Sequence, residues 1–567
     1  MRTSFYSSAS NRDLHPLDSE QYSLAAHPSA WGSEALYPHQ REPDDYLHNP
    51  DPKRDVTIDR GGHIFTSRGI VNVGCLLTLV LVLVGLFAGY PVVSHFLSNE
   101  QSLLGGFNLG GINATGQVPL MPYGKFGLID RDTPKSAYYK SSYVNPGDEW
   151  QLVFSDEFEV EGRSFYPGDD PYWEAVNLWY WQTGDIEWYD PIAVTTSGGA
   201  VHMTLSPEDP ATNHNFSYRS GMIQSWNKFC FTGGILEVNV RLPGANNVAG
   251  LWPAVWSMGN LGRAGYGASL EGMWPYSYDE CDIGTLPGQT YPNKLGPDSA
   301  LNSGLGDDGT LSLLSGQRLS RCTCPGEPHP GPFRKKTNEW VGRAAPELDI
   351  FEAIINGSGV NGPFGQSSQS LQVAPFDSGY EWLNTSRNAE FIAPTYHNEF
   401  IGNTRQETLS GLSTNRQDCY ELTEGCFAVY GFEYQPGFEE GYIAWINDDA
   451  LTWRVTAAGL GPNALTEVGR RLIPVEPMYI IMNLGYSEDF GGIDHENMKL
   501  PATMSVDYVR VYQPKNNINW GCDPDDFPTA NYIAAYPEAY TNANFTSFGF
   551  PQYNQTLPKN KLLDACT

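Results

Sequence analysis

An all-β body preceded by one membrane-crossing helix is the fold class this sequence predicts, and three observations predict it. From about residue 140 onward, short apolar alternations such as Gly234-Ile235-Leu236-Glu237-Val238-Asn239-Val240-Arg241-Leu242-Pro243 recur between clusters of Gly, Pro and Asn, as antiparallel strands require. No long helical period intervenes. Ahead of them, Ile70 to Val93 runs 24 residues without a charge, long enough at about 1.5 Å per residue to cross a hydrocarbon layer of about 30 Å.

The apolar run organises the chain. Residues 1–68 are polar, carry ten acids against seven bases and show no sustained apolar period, which reads as a disordered cytosolic tail. That long polar lead, and a run longer than a signal h-region, favour a helix spanning 69–93 over a cleaved signal peptide. Lys53, Arg54, Arg60 and Arg68 precede the span, while the twenty residues after Val93 hold no Lys or Arg, so the amino end faces the cytosol. Six Asn-x-Ser/Thr sequons, at Asn113, Asn215, Asn356, Asn384, Asn544 and Asn554, all follow the span, as lumenal acceptors must. Asn356 lies four residues past Glu352, where a glycan would crowd the acids described below, so we expect that site to stay bare. The expected location is a secretory-pathway membrane, whether endoplasmic reticulum, Golgi or plasma membrane.

Residues 94–140, rich in Gly, Asn and Pro, read as a lumenal stalk, 141–514 as the β body and 515–567 as a C-terminal tail. Of nine cysteines, Cys75 lies in the span, and the other eight allow up to four disulfides. Cys419 and Cys426 bracket a short loop and should pair; Cys522 and Cys566 are placed to clamp the tail. Cys322 and Cys324 are too close to pair with each other, so each seeks Cys230, Cys281 or another. Zinc is disfavoured because Cys-x-Cys has no second pair at ligand spacing.

Net charge of -31 argues against nucleic acid and against adhesion to anionic lipid, whereas a neutral polysaccharide is indifferent to it. There is no phosphate-binding G-x-x-x-x-G-K-[ST] and no G-x-S-x-G elbow.

The chemistry concentrates in Pro346-Glu347-Leu348-Asp349-Ile350-Phe351-Glu352. Two-residue alternation sends Glu347 and Asp349 to one face of a strand and Leu348 and Ile350 to the other, which leaves Glu352 on the wrong parity. One extra residue around Ile350 and Phe351, a β-bulge, would return it to the face of Glu347. The two glutamates would then sit four places apart, about 13 Å between Cα atoms, and side chains leaning together would bring the carboxyls to about 5 Å. That separation suits a retaining glycosidase, in which one carboxylate attacks the anomeric carbon and the other, kept protonated by its neighbours' charge, protonates the leaving oxygen.

That strand is one of four segments that follow in order. They are Leu152-Val153-Phe154-Ser155-Asp156-Glu157-Phe158, Gly250-Leu251-Trp252-Pro253-Ala254-Val255-Trp256, the acid strand itself, and Val506-Asp507-Tyr508-Val509-Arg510-Val511-Tyr512. Over roughly residues 140 to 515 the chain resembles glycoside hydrolase family 16. Arg471-Leu472-Ile473-Pro474 and Pro477-Met478-Tyr479-Ile480-Ile481-Met482-Asn483-Leu484-Gly485 make it most similar to the fungal, membrane-anchored branch associated with cell-wall β-1,6-glucan synthesis. The resemblance implies a concanavalin-like jelly-roll sandwich whose concave sheet holds the sugar, with Glu347 as nucleophile, Glu352 as acid/base and Asp349 as helper. It also implies β-glucan as partner and places His397 where the family carries a histidine near the acid/base. No cofactor is implied; the analogy extends to a structural calcium, though no ligand loop identifies one.

Sugar rings present apolar C–H faces, so Trp252 and Trp256, four residues apart on one strand face, are the leading stacking candidates, followed by Trp226, Trp274 and Tyr276. Two insertions, 260–345 and 357–395, flank the acid strand and are expected to wall the cleft. Three functions are consistent with these features: a retaining β-glucan hydrolase or transglycosylase, a non-catalytic glucan-binding factor, and a lumenal scaffold for wall-synthesis proteins.

Overall fold

Ile70–Gly89 has a mean hydropathy of 2.7 and is helical throughout, an α-helix over Ser67–Val84 continued by a π-turn over Gly85–Gly89. Every large apolar side chain from Leu76 to Phe87 is exposed, which water would penalise and a hydrocarbon layer would not. This computed structural model describes residues 67–90, 128–276, 319–357, 362–373, 380–402, 407–548 and 555–566, with scattered positions between them. Residues 1–66, apart from two isolated positions, most of the proposed stalk, and Asn113 and Asn554 lie outside the described residues.

The chain divides into a unit ending at Leu97 and a unit from Ser98 onward, and the second is the β body. Among the described residues it contains a sheet of twelve strands, a sheet of eight and a two-stranded ribbon. The eight-stranded sheet runs, in spatial order, Tyr396–His397, Glu407–Thr414, Phe364–Val373, Glu347–Asn356, Leu251–Gly259, Met478–Tyr486, Met222–Gln224 and Glu174–Ala175, with every neighbour antiparallel. One face packs on the larger sheet. Leu348, Ile350, Phe351, Leu371, Ile480 and Met482 from it meet Leu236, Val238, Phe432, Trp445, Val509 and Val511 in one sealed core. Each such side chain contributes about 1.5–3 kcal/mol by leaving water, which fixes which face of the acid strand points outward.

Two of the four disulfides clamp the C-terminal segment as its two cysteines suggest, and they supply the partners. Cys419 pairs with Cys426 as the short loop suggests, Cys522 pairs with Cys230 and Cys566 with Cys324, while Cys281 takes Cys322. Cys522 and Cys566 therefore each tie the C-terminal segment back to the body. The chain beyond 515 is no loose tail. Short helices at Ala530–Ala535 and Pro537–Thr541 bury Tyr532 and Tyr540, and Arg263 from the first insertion donates to the Tyr540 carbonyl at 2.7 Å. Arg343, also from that insertion, is fully buried and pairs with Glu476 at 2.9 Å.

Within the acid strand the register slips. Asp349 pairs with Trp256 and Phe351 with Val255 on the adjacent strand, so Ile350 has no opposite number, and the slip recurs against the strand on the other side. Ile350 and Phe351 both point into the core, and Glu352 returns to the outward face of Glu347 and Asp349. A bulge leaves backbone groups without ladder partners. Here the Asp349 carbonyl accepts from the buried Trp445 indole at 2.7 Å, and the Ile350 carbonyl from Gln369 Nε2 at 3.3 Å. Replacing Trp445 with Phe keeps a ring to stack on Trp453, 3.9 Å away, but strands the Asp349 carbonyl in the core. We expect that variant to lose about 1–3 kcal/mol of stability in thermal unfolding of the full chain; an unchanged midpoint would show that the bulge does not need this cap.

Candidate active site

The outward face of the acid strand is built by register. On one side Met258, Trp256 and Ala254 stand opposite Glu347, Asp349 and Glu352; on the other Gln372, Ser370 and Ser368 do. These neighbours are mostly small or amide-bearing. They leave space above the acids while supplying donors to them. Asp349, 1% exposed, accepts from Ser370 Oγ at 2.8 Å and from Gln372 Nε2 at 3.1 Å, and the amide of Gln372 is oriented in turn by Thr408 Oγ1, which donates to it at 2.7 Å. Glu347 accepts from the Trp274 indole and is hydrogen-bonded to Asp349. Glu352 accepts from Trp252 Nε1 at 3.0 Å, and the Trp252 ring lies flat on Phe490, centroids 4.1 Å apart.

Burial dominates the electrostatics. It pushes Glu347 well above the usual carboxylate range, helped by the charges of Asp349 and then Glu352. It raises Glu352 to about 8, with Asp349 adding to the shift, and raises Asp349 to about 6 against the pull of its hydrogen-bond donors. Glu347 and Glu352 are therefore shifted toward their protonated forms at neutral pH, with Asp349 between them the most readily ionised of the trio. It opens into a cavity of about 640 Å³, the size of a small-molecule site.

Trp252, Trp256 and Trp274 line that cavity together with the three acids. Trp256, 7% exposed, serves more as wall than platform, its indole donating to Asn483 Oδ1 at 2.8 Å. The other aromatic candidates lie elsewhere. Trp226 is packed between Tyr540 and the Arg263 guanidinium, because the C-terminal helices cover it. Tyr276 is buried against Ala344, and His397 packs against Trp382 and Phe391, where burial lowers its pKa. Asn398 and Phe400, just beyond His397, reach the cavity in its place.

Sequence reading missed the opposite wall. Asp185, 5% exposed, lines the cavity, takes a hydrogen bond from Thr183 Oγ1 at 2.7 Å and is raised to about 6 by burial. Glu187 beside it is fully buried and pushed higher still by burial and by the charge of Asp185. A hydrogen-bonded line runs from Trp256 through Asn483 to the Tyr189 hydroxyl, 3.2 Å from Asn483 Nδ2, and on to Asp185. The signal was present in Asp185-Ile186-Glu187, a second set of acids at two-residue spacing, and in Asn483, a lone amide inside an apolar strand.

Asn215, Asn384 and Asn544 are exposed, whereas Asn356 is half-buried and donates to Gln366 Oε1 at 2.8 Å. Among the described residues the one cluster of metal-ligand type is Asp418 with Cys419 and Cys426. Those cysteines are joined in a disulfide, and a single carboxylate does not make the oxygen cage that calcium needs.

Residues 34–566 match the family described as beta-glucan synthesis-associated protein SKN1/KRE6/Sbg1. The chain is 40% identical over 575 residues to the beta-glucan synthesis-associated protein SKN1 of Candida albicans, covering 99% of this chain and 72% of that one. It is 40% identical over 543 residues to the beta-glucan synthesis-associated protein KRE6 of Saccharomyces cerevisiae, covering 93% and 69%. In three dimensions it is similar to the laminarinase catalytic domain of Thermotoga maritima, at 16% identity and a TM-score of 0.35 over 64% of this chain and 98% of that one. With the family match spanning almost its whole length, the chain belongs to the beta-glucan synthesis-associated SKN1/KRE6/Sbg1 family.

Proposed function

We propose that this protein is a membrane-anchored retaining β-glucan hydrolase or transglycosylase that acts in assembly of fungal cell-wall β-1,6-glucan, its amino end cytosolic and its β body lumenal. The observation that carries the reading is the bulge, which sets Glu347, Asp349 and Glu352 on one face of one strand, all lining one cavity. Glu347 attacks the anomeric carbon while Glu352 passes its proton to the departing glycosidic oxygen, leaving a glycosyl ester on Glu347. Glu352, now ionised, then takes a proton from water or from a sugar hydroxyl, which attacks the ester and frees Glu347. Asp349, hydrogen-bonded to Glu347, holds the nucleophile and accepts the proton it must shed before attack. The synthesis-associated names of the relatives support transfer to a sugar, which conserves the glucan, over transfer to water.

One observation favours a second reading, a non-catalytic glucan-binding factor. Burial, with the charges of Asp349 and Glu352, shifts Glu347 toward its protonated form, which suits donating hydrogen bonds to sugar hydroxyls.

Separate Glu347→Gln and Glu352→Gln variants of the full-length protein distinguish the two. Incubated with β-linked oligosaccharides and followed by product length, the wild-type chain should yield longer products, and each variant should lose about 10²–10⁴-fold in rate. Normal glucan assembly by both folded variants would leave only binding. The acid role of Glu352 also sets a pH limb: the rate should fall as pH rises through about 8, where that carboxyl loses its proton.

Stability responds to the same group. The folded state keeps the Glu352 proton up to about pH 8, while the unfolded chain releases it near its ordinary value of about 4.3. Over that window the unfolded state binds fewer protons, so stability drains away as pH rises. Glu352→Gln cannot titrate, and its melting temperature should fall less than wild type between pH 5 and pH 8. Parallel decline in the two proteins would mean that Glu352 ionises freely in the fold.

A further inference from the structure

A second cavity, of about 680 Å³, lies apart from the acids. Its wall includes Trp179, Trp181 and Trp188, an unusual concentration of indole for a surface hollow. The rings are held in place. Trp188 donates to Asn177 Oδ1 at 2.7 Å and stacks on His214, centroids 3.8 Å apart and planes 12° from parallel. Trp179 donates to the Asp185 carbonyl at 2.7 Å, yet its side chain remains 42% exposed. Preset indole faces beside amides and hydroxyls are what a pyranose ring requires: apolar C–H faces stack, and equatorial hydroxyls find partners.

The rim of the same cavity carries a glycosylation signal. Both Asn544 and Thr546, the acceptor and the hydroxyl of the sequon Asn544-Phe545-Thr546, line it. Asn544 is exposed and presented on a turn, its N–H donating to Asn542 Oδ1 at 3.1 Å while the Phe545 N–H donates to the Asn542 carbonyl at 3.0 Å. A sugar attached to Asn544 begins at the cavity mouth. It needs no translational freedom to enter, so tethering raises its effective concentration far above that of a free chain.

We propose that the aromatic cavity is the seat of an N-linked glycan on Asn544, whose first sugars stack on Trp179 and its neighbours. The glycan would brace more than the surface. Leu178, Trp179 and Trp181 face this cavity, while Tyr180, Gln182 and Thr183 from the same segment face the acid-lined cleft, so one stretch of chain walls both. A sugar clamped on one side restrains the other.

The test uses full-length protein purified in detergent from a glycosylating host. Glycopeptide mass spectrometry should show Asn544 occupied. Thermal unfolding is then compared for wild type, Trp179→Ala, Asn544→Gln and the double variant, with Thr546→Ala as a second route to the unglycosylated chain and Trp179→Tyr as a ring-preserving control. Each single change should lower the melting temperature by about 2 °C, the tyrosine variant should not, and the double variant should fall no further than either single one. A bare Asn544, or additive losses in the double variant, would overturn the proposal. So would quenching of tryptophan fluorescence in Asn544→Gln by an added β-linked glucan oligosaccharide, if Trp179→Ala abolishes it, because the hollow would then belong to free glucan.

Discussion

One unpaired residue governs the chemistry of this molecule. Without the slip at Ile350, strand alternation would drive Glu352 into the hydrophobic core and leave Glu347 and Asp349 alone on the cleft face. The slip interrupts the ladder inside the protein, where an orphaned carbonyl is expensive. Trp445 and Gln369 cover that cost from the core side. Trp445 comes from the opposing sheet, so the sandwich interface itself locks the bulge: the two sheets cannot separate or slide without releasing the backbone beneath the acids. Fold stability and site geometry are in this sense a single constraint.

Indoles recur as the donors around the acids. Trp274 supplies Glu347, Trp252 supplies Glu352, and Trp445 supplies the backbone of Asp349. An indole offers one hydrogen bond from a large apolar body. It satisfies a carboxyl without importing charge or water. An ammonium or guanidinium in the same place would pull the carboxyl pKa down and hold it ionised. With indoles, a hydroxyl and an amide as donors, desolvation prevails, and the acids keep protons to give. The aromatic body that lowers the local dielectric is also the surface on which a sugar can lie.

Legibility followed how local each signal was. The acid strand, its bulge and the outward set of Glu347, Asp349 and Glu352 could be read from seven residues, because parity is a property of the chain itself. The apolar helix over Ile70–Gly89 was equally local. Trp226, Tyr276 and His397 went astray because an aromatic residue serves core and cleft alike, and only the covering segments decide; for Trp226 that cover is Tyr540, more than three hundred residues away. Asp185 and Tyr189 were passed over for the converse reason, since their segment joins the cleft through pairing with distant chain and has no long strand of its own. The partners of Cys522 and Cys566 lay beyond reach for the same cause: Cys230 and Cys522 are separated by 292 residues, Cys324 and Cys566 by 242.

The C-terminal segment shows what those long-range ties accomplish. It is joined to the body by Cys230–Cys522 and Cys324–Cys566, and its Tyr540 hydroxyl donates to the Leu261 carbonyl. The second of those disulfides and the Tyr540 hydrogen bond fall on the segment 260–345 that carries Trp274, the donor to Glu347. The insertion has few regular elements with which to hold its own shape. Among the described residues it contains one four-residue helix and the two-stranded ribbon of Phe333–Arg334 and Glu339–Trp340, and it relies on Arg263, Arg343 and the disulfides for position. Trp274 can aim at Glu347 only if that scaffold is rigid, and the last fifty residues supply the rigidity from outside. The distal end of the chain thus acts on the proposed nucleophile through packing, without touching the cleft acids.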